Sequence, residues 1–144
     1  VVDEAHLLPP LLLEQLRFLL NENMDSSSLL TLVLLGQTDL AHRLRFAPYE
    51  ALSQRISVRY QLKPFDLQET INYIKHHLRV AGVQDNPIFS DSFLSAVHDH
   101  TKGVARQINN ICRNALLLGA TEFKQIIDES DLKRILLDLE GVIA

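Results

Sequence analysis

The chain opens with Val-Val-Asp-Glu-Ala-His-Leu-Leu (residues 1–8), in which two β-branched apolar residues run directly into two acids. This pattern predicts the end of a buried strand that places Asp3 and Glu4 at the carboxyl edge of a sheet, where ligands bind in open α/β folds. One carboxylate at such an edge can hold Mg²⁺ through its waters, and the next can activate a water for attack on a γ-phosphate. A surface turn is the alternative interpretation of the same eight residues.

Two further segments have the composition of strands. Residues 29–35 form a short apolar run bounded by Ser and Gly, which is typical of a strand covered on both faces, and Gln37 follows it. Residues 57–62 alternate between apolar and polar side chains, and Arg55 comes just before them. We therefore expect residues 1–64 to form a partial parallel sheet of an α/β domain.

The pattern changes at Lys63-Pro64, because a residue that precedes proline is disfavoured in the helical region. Asp66 followed by Glu69 predicts a capping box, and Ser90 can cap a second helix. Residues 104–118 carry the most regular helical pattern, and Asp128 begins a last helix. Residues 65–144 are thus expected to form an all-helical second domain.

Composition narrows the class of protein. The 144 residues carry a formal net charge of −4, which excludes a uniformly basic nucleic-acid-binding chain, although residues 43–63 hold five basic side chains against Glu50 alone. The single cysteine, Cys112, excludes an internal disulfide and a cysteine-based zinc site. The longest apolar run is far shorter than the roughly 20 residues that a membrane helix needs. We expect no membrane segment in this chain and a cytoplasmic location.

Four short motifs follow one another along the chain. They are Val-Val-Asp-Glu-Ala-His-Leu-Leu, Leu-Leu-Gly-Gln-Thr-Asp-Leu, Leu-Ser-Gln-Arg-Ile-Ser-Val-Arg-Tyr and Gly-Val-Ala-Arg-Gln-Ile-Asn-Asn-Ile-Cys. Together they resemble the Walker B, sensor 1, arginine finger and sensor 2 motifs of the general secretion pathway protein A (ExeA) family of AAA+ ATPases, a pattern shared by transposition ATPases of the TniB type. The resemblance covers essentially the whole chain and implies a P-loop ATPase with a helical lid, of which residues 65–144 would be the lid.

The resemblance also implies a role for each site residue. Asp3 would be the Mg²⁺-associated acid and Glu4 the catalytic base, while Gln37 would sense the γ-phosphate. Arg55 would be the finger that completes the site of the next subunit in a homo-oligomer, and Arg106 would reach the nucleotide from the lid. The family usually has proline before that last arginine, where this chain has an alanine. The remaining candidates for the finger are Arg43, Arg45 and Arg59.

The Gly-rich phosphate-binding loop of such ATPases is missing, because all five glycines of the chain are isolated. The chain therefore has the pattern of a fragment that starts at Walker B. ATP and Mg²⁺ are the cofactors expected of the longer parent, and we expect the chain alone neither to bind ATP tightly nor to hydrolyse it. Without the strand that carries this loop, the segments 29–35 and 57–62 lack their expected neighbour, and residues 65–144 should be the better-folded part.

The sequence leaves four functions open. The first, which we favour from the sequence, is a piece of an ATPase that serves DNA transposition, with a transposase and DNA as partners. The second is the ATPase of general secretion. The third is a non-catalytic module, in which the helical region binds a partner and residues 43–63 contact DNA. The fourth is the remnant of a decayed gene, with no function of its own.

Overall fold

The computed structural model describes residues 1–20, 30–83 and 87–139. These residues fall into two compact units, Val1–Gln61 and Leu62–Ala144. Among the described helices, none combines the length and the hydropathy needed to cross a bilayer.

The helices described in the first unit are short. They are a 3₁₀ turn at Ala5–Leu7, α1 at Pro10–Gln15 with a 3₁₀ continuation at Leu16–Leu20, α2 at Thr38–Arg43, a 3₁₀ turn at Ala47–Tyr49, and α3 at Glu50–Arg55. Pro10 occupies the first helical position of α1, where its missing N–H costs nothing. Leu13, Leu40, Tyr49 and Leu52 are buried together and form the small core of this unit.

The expected α/β fold is wrong, because the described residues contain no β-strand and no sheet. Leu29 of the segment 29–35 lies outside the described residues. In residues 30–35, Leu34 forms an isolated parallel bridge with Val2. Residues 57–62 have no regular secondary structure, and Val58, Tyr60 and Leu62 are 81%, 85% and 85% exposed. A strand is stabilised by a hydrogen-bonded neighbour and by burial of one face, and the segment 57–62 has neither among the described residues.

The described part of the second unit contains four longer helices. They are α4 at Leu67–Val80, α5 at Asp91–Thr101, α6 at Ala105–Thr121 and α7 at Glu129–Leu139. The predicted capping box is present, since Asp66 accepts from the N–H of Glu69 at 2.8 Å and Glu69 accepts from the N–H of Asp66 at 2.9 Å. The Ser90 hydroxyl accepts from the N–H of Phe93, as the sequence predicts for the start of α5.

The four helices enclose one apolar core. Phe93, Val97 and Ile108 are fully buried at its centre, and Phe89 and Phe93 stack with their ring centroids 4.6 Å apart. The chain that leads into α5 pairs with the chain that leads into α7 through a parallel bridge between Phe89 and Ile127. Burial at roughly 25 cal/mol per Å² of apolar surface is the main stabilising contribution to such a unit.

Candidate functional site

The two segments that end in the predicted acid and amide motifs lie side by side. The N–H of Val2 donates to the carbonyl of Val33 at 2.8 Å, and the N–H of Leu35 donates to the carbonyl of Val2 at 2.9 Å. A third bond follows from the N–H of Ala5 to the carbonyl of Leu35 at 2.8 Å. Because this pairing is parallel, both segments end in the same direction. The structure thus brings Asp3 and Glu4 close to the stretch that leads to Gln37.

The acid pair forms a tight turn at the surface. Asp3 and Glu4 are exposed, and the N–H of Glu4 donates to Oδ1 of Asp3 at 2.8 Å. Glu4 has φ 51°, a left-handed conformation that a residue with a Cβ adopts only at a cost. The fully buried Ala5 follows and fixes the chain below the turn. The turn therefore leaves the side chains of Asp3 and Glu4 accessible to solvent.

Gln37 lies at the start of α2, in an extended conformation with φ −70° and ψ 170°. Its backbone N–H donates to Nδ1 of His6 at 3.4 Å, and its side chain makes no capping bond to the helix. His6 has no role in the sequence-based prediction, although it lies two residues after Glu4.

Arg43 has a structural role. Its guanidinium donates to the carbonyl oxygens of His6 and Leu8, the second at 2.9 Å, and lies 5.8 Å from the centre of the Tyr49 ring. The bonds join α2 to the 3₁₀ turn that follows the acid pair. Arg43 is thereby committed to backbone carbonyls within its own unit, which argues against its candidacy as a finger.

The other arginines of the first unit differ in their surroundings. Arg55 ends α3, is half-buried and donates to the carbonyl of Ala51 at 3.0 Å. Arg59 donates to the carbonyl and the hydroxyl of Ser53 at 2.9 and 2.6 Å. Arg45 is exposed. The choice of Arg55 as the finger stays a prediction.

Arg106 belongs to the second unit, where it is the exposed second residue of α6. Gly103 sets the entry to this helix with φ +77°, and its carbonyl accepts from the N–H of Phe65 at 2.9 Å. Val104 follows in an extended conformation as the N-cap of α6. The left-handed backbone at Gly103 thus explains the glycine of the Gly-Val-Ala-Arg motif. The role of Arg106 stays a prediction.

No protein-family model matches the chain, and no solved structure matches it. The chain is similar to general secretion pathway protein A of Aeromonas hydrophila. The two sequences are 37% identical over 142 residues, which is 99% of this chain. The match covers 26% of the Aeromonas hydrophila protein, so the chain spans about a quarter of that relative's length.

Proposed function

We propose that this chain is a segment of an AAA+ ATPase of the general secretion pathway protein A family and that it works in general secretion. The observation that carries the proposal is the similarity over 99% of the chain to a protein named for that pathway. The four sequence motifs supply the ATPase part of the proposal. A role in transposition, with a transposase and DNA as partners, has no support from the relative, whose name favours secretion.

The site proposed for this activity combines Asp3, Glu4 and Gln37. Mg²⁺ keeps several waters and takes one or two carboxylates together with phosphate oxygens, so two exposed acids in one turn fit a hydrated Mg²⁺. Asp3 would hold the ion through Oδ2 and its waters, because Oδ1 already accepts the N–H of Glu4. The pairing of Val2 with Leu34 supports this grouping, since it keeps the acid turn beside the approach to Gln37.

The remaining proposed roles in ATP hydrolysis belong to Glu4, Gln37, Arg55 and Arg106. Magnesium ATP, when bound, supplies the γ-phosphoryl group and part of the charge that stabilises its transfer. Glu4 would orient the attacking water and accept its proton, and the Gln37 amide would bond to the γ-phosphate. Arg55 would complete the site of a neighbouring subunit in a homo-oligomer, and Arg106 would bind the nucleotide from the helical unit. The cytoplasm, where ATP is available, is the proposed location.

A segment exchange tests the proposal. This chain replaces the matching 142 residues of the Aeromonas hydrophila protein, and the purified chimera is assayed for ATP binding and hydrolysis. We expect Mg²⁺-dependent hydrolysis that Glu4→Gln lowers at least about 100-fold, while ATP binding is kept, because loss of a general base affects the chemical step. Glu129→Gln removes an exposed carboxylate of α7 and serves as the matched control.

Secretion is measured separately, in an Aeromonas hydrophila strain that lacks its own copy of the protein. The chimera should restore secretion, and Glu4→Gln should abolish the restoration. A chimera that binds ATP and hydrolyses it equally well with Glu4→Gln would contradict the role of Glu4. Hydrolysis without any restored secretion would contradict the assignment to secretion and would leave the ATPase proposal standing.

A further inference from the structure

An open cleft of about 370 Å³ lies between α4 and α6 of the helical unit. It runs along residues 73–81 on one side and residues 108–117 on the other. On each helix the lining side chains recur in pairs four residues apart, so two turns of each helix face the cleft. At 1.5 Å per residue, each wall is roughly 12 Å long.

The cleft is mainly apolar, and apolar side chains lie both at its floor and at its rim. Ile74, Phe89 and Ile108 form the floor and are nearly completely buried as part of the core. Leu116 and Leu117 lie at the rim and are 37% and 57% exposed. A small ligand confined to the floor would leave both rim leucines in water. An occupant that removes the whole apolar surface from water must extend beyond the cleft.

Among the residues that the structure describes, the charged groups of the cleft carry only one sign. None of these lining side chains is acidic, and their ionisable groups are Arg113, His77, Tyr73 and Cys112. The helix α6 has no Asp or Glu between residues 105 and 121, and Glu69, the one acid of α4, is held in the capping box. Residues 65–144 carry eleven acids against eight bases, so the lack of acids here does not follow from composition.

The cleft is also preformed. The side-chain amide of Asn109 donates to the Tyr73 hydroxyl at 3.0 Å, which ties α6 to α4. Two helices with side chains spaced four residues apart leave a groove that accepts the ridge of a third helix. Amphipathic helices bind such grooves through apolar side chains at positions i, i+3, i+4 and i+7.

We propose that the cleft between α4 and α6 binds an amphipathic helix of a partner protein, whose apolar stripe is flanked by Asp or Glu. The apolar side chains of this helix would cover Leu116 and Leu117, and its carboxylates would pair with Arg113 at the mouth. The proposal is independent of the proposed ATPase activity, because it uses no residue of that site. An apolar floor beneath the arginine favours a peptide over a polyanion such as DNA, which offers no apolar stripe.

Two synthetic 18-residue helical peptides test the proposal with the full 144-residue chain. Both have the same Leu and Ala stripe, and their flanking positions are all Glu in one and all Lys in the other. Fluorescence anisotropy of the labelled peptides should show saturable binding of the Glu peptide and at least roughly tenfold weaker binding of the Lys peptide. Arg113→Glu and Leu117→Glu should each weaken the Glu peptide roughly tenfold or more.

Matched controls replace one basic residue and one leucine with Glu outside the cleft. Lys133→Glu and Leu137→Glu alter exposed positions of α7 and should leave the affinity within about twofold. The unfolding temperature of every variant is measured, so that loss of folding is not mistaken for loss of binding.

Cys112 gives a second readout, because it is the single thiol of the chain and lines the cleft. Burial raises the pKa of this thiol to about 12, so monobromobimane should label it slowly, and the bound Glu peptide should slow the labelling further. Absence of Glu-peptide binding at millimolar concentration, equal binding of both peptides, or binding that the two cleft variants do not change would overturn the proposal. Equal protection of Cys112 by a DNA duplex would also overturn it, since it would indicate a polyanion surface.

Discussion

A Cβ atom added at Gly103 would lie 1.9 Å from the carbonyl oxygen of Phe65. The backbone at Gly103 has φ +77°, and its carbonyl accepts the N–H of Phe65 at 2.9 Å. Glycine is required here for two separate reasons, the left-handed conformation and the close approach of the segment that leads into α4. One residue thereby fixes both the start of α6 and the entry to the helical unit.

Gly103→Ala should therefore destabilise the chain strongly. Overpacking costs about 1–3 kcal/mol and a left-handed alanine about 1–2 kcal/mol, so the free energy of unfolding should fall by roughly 2–5 kcal/mol. Gly82→Ala is the matched control, because Gly82 also has positive φ but nothing lies within 4 Å of the added Cβ. Urea unfolding followed by circular dichroism measures both variants. Equal losses at the two glycines would show that the contact with Phe65 has no effect.

The helical half of the fold was predictable because its signals are local. A capping box needs only Asp66 and Glu69, and a helix cap needs only Ser90 and the N–H of Phe93, so each was predicted from a few adjacent residues. The sheet was predicted wrongly because a strand depends on partners that sequence pattern does not supply. Val2 and Leu34 find each other, whereas Tyr60 stays exposed.

The candidate site was also only partly predictable, because several of its contacts join residues that are far apart in the sequence. Asp3 and Gln37 each follow an apolar run that the sequence shows, and the parallel bridge between Val2 and Leu34 brings these two runs side by side. The bond from Gln37 to His6 joins residues 31 positions apart, and the bonds from Arg43 reach across 35 and 37 positions. No local pattern indicates such contacts, so the sequence alone leaves Arg43 among the candidate fingers.

Arg43→Lys should weaken the first unit, although it keeps the charge. A lysine ammonium lacks the planar fork with which arginine donates to the carbonyls of His6 and Leu8 together. Loss of one charged hydrogen bond should cost about 1.5–3 kcal/mol. Amide hydrogen exchange of residues 5–16, resolved by mass spectrometry, measures the local effect. Arg45→Lys, an exposed change two residues away, is the control and should leave exchange unchanged; protection retained in Arg43→Lys would count against the structural role.

Stability of the helical unit should decrease in acid. The bond from Arg134 lowers the pKa of Glu122, and the bond from the Ser130 hydroxyl lowers the pKa of Asp128. The folded-state pKa of each carboxyl lies below its unfolded-state pKa, so the folded chain binds fewer protons than the unfolded chain. The two carboxylates therefore stabilise the fold at a pH above the unfolded-state pKa. This stabilisation is lost as the pH falls through the folded-state pKa. The urea midpoint should therefore fall between about pH 5 and pH 3.

Variants identify the groups responsible for this acid sensitivity. Glu122→Gln should flatten the dependence of the urea midpoint on pH, because the group that binds the extra proton is gone. Glu129→Gln removes a carboxyl from an exposed pair with Lys133 and should change the slope less, since exposed pairs contribute little. An unchanged slope in Glu122→Gln would contradict the assignment.

Asp131 is the buried acid at the start of α7, with 1% of its surface exposed, and it is paired with Lys124. Its second oxygen accepts the N–H of Asp128 at 3.1 Å, so one side chain joins the loop after α6 to the first turn of α7. Lys124→Met should lower the free energy of unfolding, because it removes the nearer of the two cations that face a buried carboxylate and leaves only Arg134, whose Nη1 lies 3.9 Å from Oδ1 of Asp131. Lys133→Met removes the cation of an exposed pair, and its loss should stay below about 1 kcal/mol. Asp131→Asn combined with Lys124→Met should recover part of the loss, since the buried charge is removed while Asn can still accept the N–H of Asp128. Thermal and urea unfolding of these variants and of the unaltered chain measure the differences. Equal losses for Lys124→Met and Lys133→Met would contradict a larger stabilising contribution from the buried pair.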